Sequence, residues 1–241
     1  MRKPLIVSAT AKNPEEFTAQ PLYKSLFVKG SQHDRTKEHD FFTNSDFDAI
    51  IKTNNKRNIG KFYNKALEFI RQHPLDYDCV IFCHDDISIE DRFLNKKLEE
   101  GLVEYDILGL AGGKNITIDH PALWHLMCDQ STWSGAVAHP ANETQIFMTH
   151  FGPTPSRCLL LDGVFLAMKV PSIVSTPKVK FDENIPCIAH FYDVDFCLTA
   201  NRYGLKMSTW PIWAVHESPG LDQVSEEFKR GAEYFINKWT T

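Results

Sequence analysis

The chain has 241 residues and a mass of 27.6 kDa, with 43% hydrophobic and 24% charged residues, the composition of a folded globular protein rather than a disordered or fibrous one. A formal charge of −5 and an isoelectric point near 6.1 remove the broad attraction to phosphate backbones on which nucleic-acid binders rely. No apolar run approaches the roughly 18 residues of a membrane span, the opening residues lack a signal-peptide core, and six scattered cysteines without a Cys-x-x-Cys pair favour buried thiols over a zinc site or a disulfide framework. A soluble, cytoplasmic, single-domain protein without a nucleic-acid partner is expected.

Residues 4–10 form a short apolar run ending in Ser8-Ala9-Thr10, the pattern of a buried strand opening into a loop. Asn13-Pro14-Glu15-Glu16 reads as a capped helix start. The stretch 31–55 is polar and carries no clear period. From Asn58, the spacing of Phe62, Ala66, Phe69 and Ile70 predicts a helix that Pro74 stops. A second buried strand, 78–83, ends abruptly in His84-Asp85-Asp86; a helix over about 90–101 and a strand over 107–111 follow, so helix and strand alternate.

The second half has another texture. Residues 121–155 carry Trp124, Trp133 and several prolines, with four histidines in the neighbourhood (His120, His125, His139, His150), and read as long loops serving a site. Residues 158–170 are apolar but interrupted by Asp162-Gly163, and 207–215 reads as a strand ending in His216-Glu217. Over 225–239, Phe228, Ala232, Phe235, Ile236 and Trp239 share one helical face, expected to pack on the core; peripheral membrane association is left open. Gly112-Gly113-Lys114 lacks P-loop spacing, and no Gly-x-Gly-x-x-Gly follows the first strand, which weakens kinase, NTPase and dinucleotide readings.

Ionisable residues directly after a buried strand sit where open α/β sheets place ligands. In His84-Asp85-Asp86 the carboxylates either cap a solvated turn or hold a divalent cation. His216 at a strand end is open to the same two readings. Asp193 has a carboxylate suited to accept a proton from an attacking hydroxyl, or simply to cap a helix; Asp195, two residues on, reads as structural. Lys56, Arg57 and Lys61 form a basic cluster that either meets a phosphate or base edge, or is a solvated face. Trp124, Trp133 and Tyr192 are either core aromatics or a platform for a sugar.

Taken in order, Asn58 to Ala66, His84-Asp85-Asp86, Leu161-Asp162-Gly163-Val164, Phe181-Asp182-Glu183, Tyr192-Asp193-Val194-Asp195, Tyr203-Gly204 and Val215-His216 resemble the motif series of family-2-type glycosyltransferases of the GT-A fold, over most of residues 4–220. The branch related to a streptomycin-biosynthesis protein, StrF, with His-x-Asp at the DxD position, is the nearest in pattern. The resemblance implies a mixed, mainly parallel α/β sheet, with a nucleotide-binding half (1–115), an acceptor and catalytic half (116–220) and a C-terminal helix (221–241). It implies transfer of a sugar from a nucleotide-sugar, UDP-linked by preference, to a hydroxyl on a glycan or on a lipid- or protein-linked acceptor, with inversion. Asp193 would be the base, and Mn²⁺ or Mg²⁺ would lie at His84, Asp86 and His216. Thr10 and Asp34 would meet the nucleotide base, and Arg57, Lys61 and Asn64 the donor from the helix before the second buried strand. Asp85, Asp162 and Gly163 would complete the donor site. Two departures stand out: His84 replaces the first acid of DxD, and Tyr192 replaces the Glu before the base. They keep two rivals in view, a metal-dependent hydrolase or nucleotidyltransferase, and a non-catalytic nucleotide-sugar-binding domain.

Overall fold

Leu5-Ile6-Val7-Ser8-Ala9 is buried at every residue, and Cys79 to Cys83 likewise, so both segments must lie inside a sheet covered on both faces. In the computed structural model, which describes residues 2–36, 39–118, 124–142, 144–217 and 225–240, they are neighbours in parallel register, Leu5 beside Val80. In chain order the first half comprises β1 (Leu5–Ala9), α1 (Pro14–Phe17), α2 (Pro21–Val28), β2 (Gln32–Arg35), β3 (Asp40–Thr43), β4 (Asp48–Lys52), α3 (Ile59–Gln72), β5 (Cys79–Cys83), β6 (Ile87–Ile89), α4 (Leu94–Glu104), β7 (Ile107–Gly109) and β8 (Ala111–Gly113). There follow β9 (Trp133–Pro140), β10 (Ile146–Gly152), β11 (Ser156–Cys158), β12 (Leu160–Leu161), β13 (Phe165–Lys169), α5 (Val170–Ser175), α6 (Tyr192–Arg202), β14 (Met207–Thr209), β15 (Ala214–His216) and α7 (Glu226–Thr240).

Two sheets result. The larger has nine strands in the order β11-β14-β7-β13-β5-β1-β4-β3-β2; the smaller holds β12-β8-β9-β15-β6, with β10 paired to β9. The large sheet is mixed, as expected, but not mainly parallel: among the described residues β1–β4, β1–β5 and β7–β14 are parallel and its five other neighbour pairs antiparallel. The difference comes from β13, which enters antiparallel between β5 and β7, and from β2 and β3, which build an antiparallel edge out of the polar stretch 31–55. The expected long loops over 121–155 are, from Trp133 onward, an antiparallel pair β9–β10 whose Gly135, Pro140 and Gly152 mask a strand pattern. His120 and Pro121 lie outside the described residues, as do 218–224 ahead of α7.

Local chemistry explains the helices. Asn13 accepts from the Glu15 and Glu16 amides while Glu16 reaches back to the Asn13 N–H, a complete capping box. Asn58 caps α3 through the Gly60 amide, and Tyr63, Ala66, Leu67 and Ile70 form its buried face. α7 buries Phe228, Gly231 and Phe235 against Phe191, so it packs on the core. The six cysteines are buried and unpaired with one another. Among the described residues no helix is long and apolar enough to cross a membrane.

The two sheets meet at a seam, because the chain repeatedly passes from one to the other within a few residues. Two stretches that read as single strands are split there: Leu110 separates β7 from β8, and residues 210–213 separate β14 from β15. Further crossings include His84-Asp85-Asp86, between β5 and β6, Leu159, between β11 and β12, and Asp162-Gly163-Val164, between β12 and β13. Backbone bonds knit the crossings together: His84 N–H donates to Val164 O at 3.2 Å, and Asp162 N–H to Ala111 O at 2.9 Å.

Candidate functional site

The seam carries the ionisable residues because a strand that changes sheet interrupts its own ladder, and polar side chains there can turn towards an opening instead of into a core. β6 and β15 pair antiparallel with Ile87 opposite His216, and the Glu217 amide donates to the Asp86 carbonyl at 2.8 Å, which sets Asp86 beside His216. Asp86 Oδ1 lies 3.1 Å from His216 Nε2 and 3.6 Å from His84 Nδ1. One donor atom from each of these residues falls within 4.8 Å of the others, so the three side chains form a group able to hold a metal ion. The sequence names the same three.

Asp86 Oδ1 and His216 Nε2 are buried and, among the described residues, without a hydrogen-bond partner, although they lie 3.1 Å apart. Buried polar atoms are rarely left so, and each costs about 1–3 kcal/mol when orphaned. A cation bound between them satisfies both, so the donor set fits a divalent metal. Burial pushes the Asp86 carboxyl up, but the imidazoles of His216 and His84 more than offset this and hold it well below the usual carboxylate range. Burial pushes His84 down, and Asp86 beside it lifts it above its ordinary value.

Asp193 opens α6 and lines the same cleft, whose volume is about 520 Å³. Its Oδ2 accepts from the Gly163 amide at 2.9 Å. Burial, then the neighbouring charge of Asp162, pushes its carboxyl up to about 6, a value suited to a base that works near neutral pH. Gly163 has to be glycine: a Cβ there would fall on the Tyr192 hydroxyl and the Asp193 Cβ. Tyr192 is buried with its hydroxyl between Gly163 O at 3.0 Å and His84 Nε2 at 2.9 Å. Asp162 is held by the Trp124 indole N–H at 2.7 Å and the Val164 amide at 2.9 Å.

No protein-family model matches the chain, and no curated protein does. Among solved structures, A197 from STIV is similar at 12% identity over 93% of this chain and 98% of its own, with a TM-score of 0.47. A candidate 5'-methylthioadenosine/S-adenosylhomocysteine nucleosidase from Francisella philomiragia ATCC 25017 is similar at 10% identity over 99% and 95%, with a TM-score of 0.28. Similarities this weak carry no argument about fold or function, and the site is read on its own chemistry.

The remaining expected residues divide. Thr10 lies at the cleft's edge, its hydroxyl donating to Asp85 Oδ2 at 2.6 Å; burial raises the Asp85 carboxyl, and that hydrogen bond partly opposes the shift. Asp34 does not reach the cleft: it is exposed on β2, the edge strand, four positions across the sheet from β5. The loop beside Thr10 is instead the one after β4, where the Asn55 amide donates to Thr10 O at 2.8 Å, a placement hidden because β3 and β4 were not legible. Arg57 and Lys61 open onto a separate groove of about 400 Å³, outside the cleft. Asn64 is not free to hold a donor: its amide bonds Phe181 through both backbone groups, and Glu183 as well, tying α3 to the turn before α6. Asp195 is structural, as expected, bonded to Lys238 and Trp239.

Sequence reading undervalued the aromatic wall. Trp124, Trp133 and Phe151 meet edge to face, with ring centroids 5.2–6.1 Å apart, and line the cleft with His125. Phe151 lies on β10 and gave no local signal. Burial holds His125, His139 and His190 below the ordinary imidazole value, so they line the cleft uncharged at neutral pH.

Proposed function

We propose that this chain is a metal-dependent glycosyltransferase of the GT-A type, moving a sugar from a nucleotide-sugar to a hydroxyl acceptor with inversion. The observation that carries the reading is a single cleft that joins a metal-holding group, a carboxyl titrating near 6 and an aromatic wall. Each meets one requirement of the reaction. The Asp193 carboxylate accepts the acceptor's proton as its oxygen bonds to the anomeric carbon and the bond from that carbon to the diphosphate breaks. His84, Asp86 and His216 would hold the metal, which, when bound, offsets the charge growing on the departing diphosphate. Trp124, Trp133 and Phe151 offer ring faces and edges to the sugar's C–H surface. Thr10 and the 53–55 loop at the end of β1 and β4 sit where an open α/β sheet receives a nucleotide. A UDP-linked donor and cytoplasmic action belong to the same proposal, on the strength of the motif series alone.

The two imidazoles in the metal group favour one second reading, a hydrolase in which a metal activates water, since imidazole-rich sites suit Zn²⁺ or Fe²⁺ as well as Mn²⁺. Product analysis separates the two. The protein is incubated with UDP-, GDP- and dTDP-sugars, Mn²⁺ and a panel of glycan acceptors. A transferase releases nucleoside diphosphate only with acceptor present and forms a glycoside. Release of free sugar at the same rate without acceptor makes the hydrolase correct, and no turnover with nucleotide-dependent stabilisation leaves a binding domain.

A further inference from the structure

Resting on the reading of His84, Asp86 and His216 as a metal group, we propose that Tyr192 is a positioning residue that fixes which nitrogen of His84 faces the metal. The inference follows from hydrogen-bond polarity. A carbonyl oxygen only accepts, so the contact between Gly163 O and the Tyr192 hydroxyl uses the single phenolic proton. The hydroxyl oxygen is then an acceptor towards His84, and Nε2, 2.9 Å away, must be the ring nitrogen that carries the proton. In the neutral ring this leaves the lone pair on Nδ1. That atom is the one directed at Asp86 Oδ1, 3.6 Å away, next to the orphaned Nε2 of His216.

The His84 Nδ1 lone pair, Asp86 Oδ1 and His216 Nε2 thus converge on one small space, an arrangement that a cation would satisfy. Ligating histidines commonly donate their second N–H to a carboxylate, carbonyl or water, and that outer contact sets both tautomer and ring orientation. Here a tyrosine does so, itself pinned by a backbone carbonyl that a glycine alone leaves room to approach. A Glu at position 192, as in the family pattern, has no proton to pass to the carbonyl when ionised, so the Tyr and His84 departures form one device rather than two losses.

Tyr192→Phe removes the hydroxyl and keeps the ring that packs on Tyr63 and Phe181. In calorimetric titration with Zn²⁺ and Mn²⁺ alone, its affinity should fall by about 10–100-fold relative to the wild type. The same substitution on a His84→Ala background should cost nothing further, because the two residues act as one path. Unchanged affinity in Tyr192→Phe, or equal losses on both backgrounds, overturns the proposal. A readout free of variants is the ¹⁵N spectrum of histidine-labelled, metal-free wild type at pH 8: His84 should carry its proton on Nε2, and a proton on Nδ1 overturns the proposal even if Tyr192→Phe fails to fold. If the wild type binds neither metal, the metal reading falls and this inference with it; if it binds and only Tyr192 proves inert, the metal reading stands.

Discussion

Two clusters of buried and half-buried carboxylates each include an aspartate of α6, and they are finished differently. Under α7, Asp182 and Asp195 are saturated: Lys238 Nζ donates to both, the Trp239 indole to Asp195 at 2.8 Å, and the Tyr234 hydroxyl and Asn184 amide to Asp182 at 3.0 and 2.8 Å. Arg202 covers the Trp239 ring at 4.1 Å. At the seam, among the described residues, Asp86 keeps an oxygen with no donor and His216 a nitrogen with no partner, while Asp193 has a carboxyl raised by burial and by Asp162. The first cluster holds two elements together and has nothing left to offer a ligand. The second is kept short of partners by the protein, at a cost in stability, and that shortage marks where chemistry is expected.

The sharpest way to break this contrast is Asp193→Asn. On the proposed function, transfer should fall by about 10²–10⁴-fold while the fold survives; turnover within threefold of wild type removes Asp193 from the reaction. Asp86→Ala should abolish metal binding by titration and with it the thermal shift of about 2.7 kcal/mol expected at a hundredfold the dissociation constant. A metal response that persists in this variant places the cation elsewhere. In the saturated cluster the effect falls on stability: Lys238→Met removes what is, among the described residues, the one charged partner of two carboxylates, which keep only neutral donors, and should cost about 3 kcal/mol, lowering Tm by roughly 6–12 °C, with metal affinity untouched.

The pH dependence sharpens the comparison further. Asp193 titrates near 6 in the fold, above its unfolded value, so the folded state binds that proton more tightly and stability is lost as pH rises from about 4 through 6. Removing the charge in Asp193→Asn should therefore raise stability at pH 7.5 by about 3 kcal/mol and leave it unchanged near pH 3.5, measured by denaturant midpoint. Activity of the wild type, which needs the carboxylate, should rise through about pH 6. The smallest effect is expected furthest from the seam: Asp34→Asn should leave nucleotide-induced thermal shifts unchanged, and a lost shift would bring β2 back into the site.

How much of this was legible follows from where each residue's partners lie in the chain. His84, Asp86 and His216 were legible as ionisable residues closing apolar runs, a local pattern that left a solvated turn and a metal site equally open; only the resemblance to the glycosyltransferase motif series grouped them as metal ligands. Asp193 stood out as an acid in the first turn of a helix. The seam did not: Leu110 and residues 210–213 continue the apolar texture of the strands they divide, and no local feature tells which sheet each piece will join. Arg57, Lys61 and Asn64 carry the right chemistry beside the right strand, yet α3 turns Asn64 onto Phe181, 117 positions away.

The sequence by itself determined the caps, the helix faces and the buried runs closed by charge, since these depend on periodicity and on neighbours within a few residues. Only the tertiary structure decided that His84, Asp86 and His216 share one point, that Tyr192 reaches His84 across 108 positions, and that Asp193 loses enough water to titrate near 6. Those outcomes depend on strand pairing and desolvation between distant segments, which a local pattern does not encode.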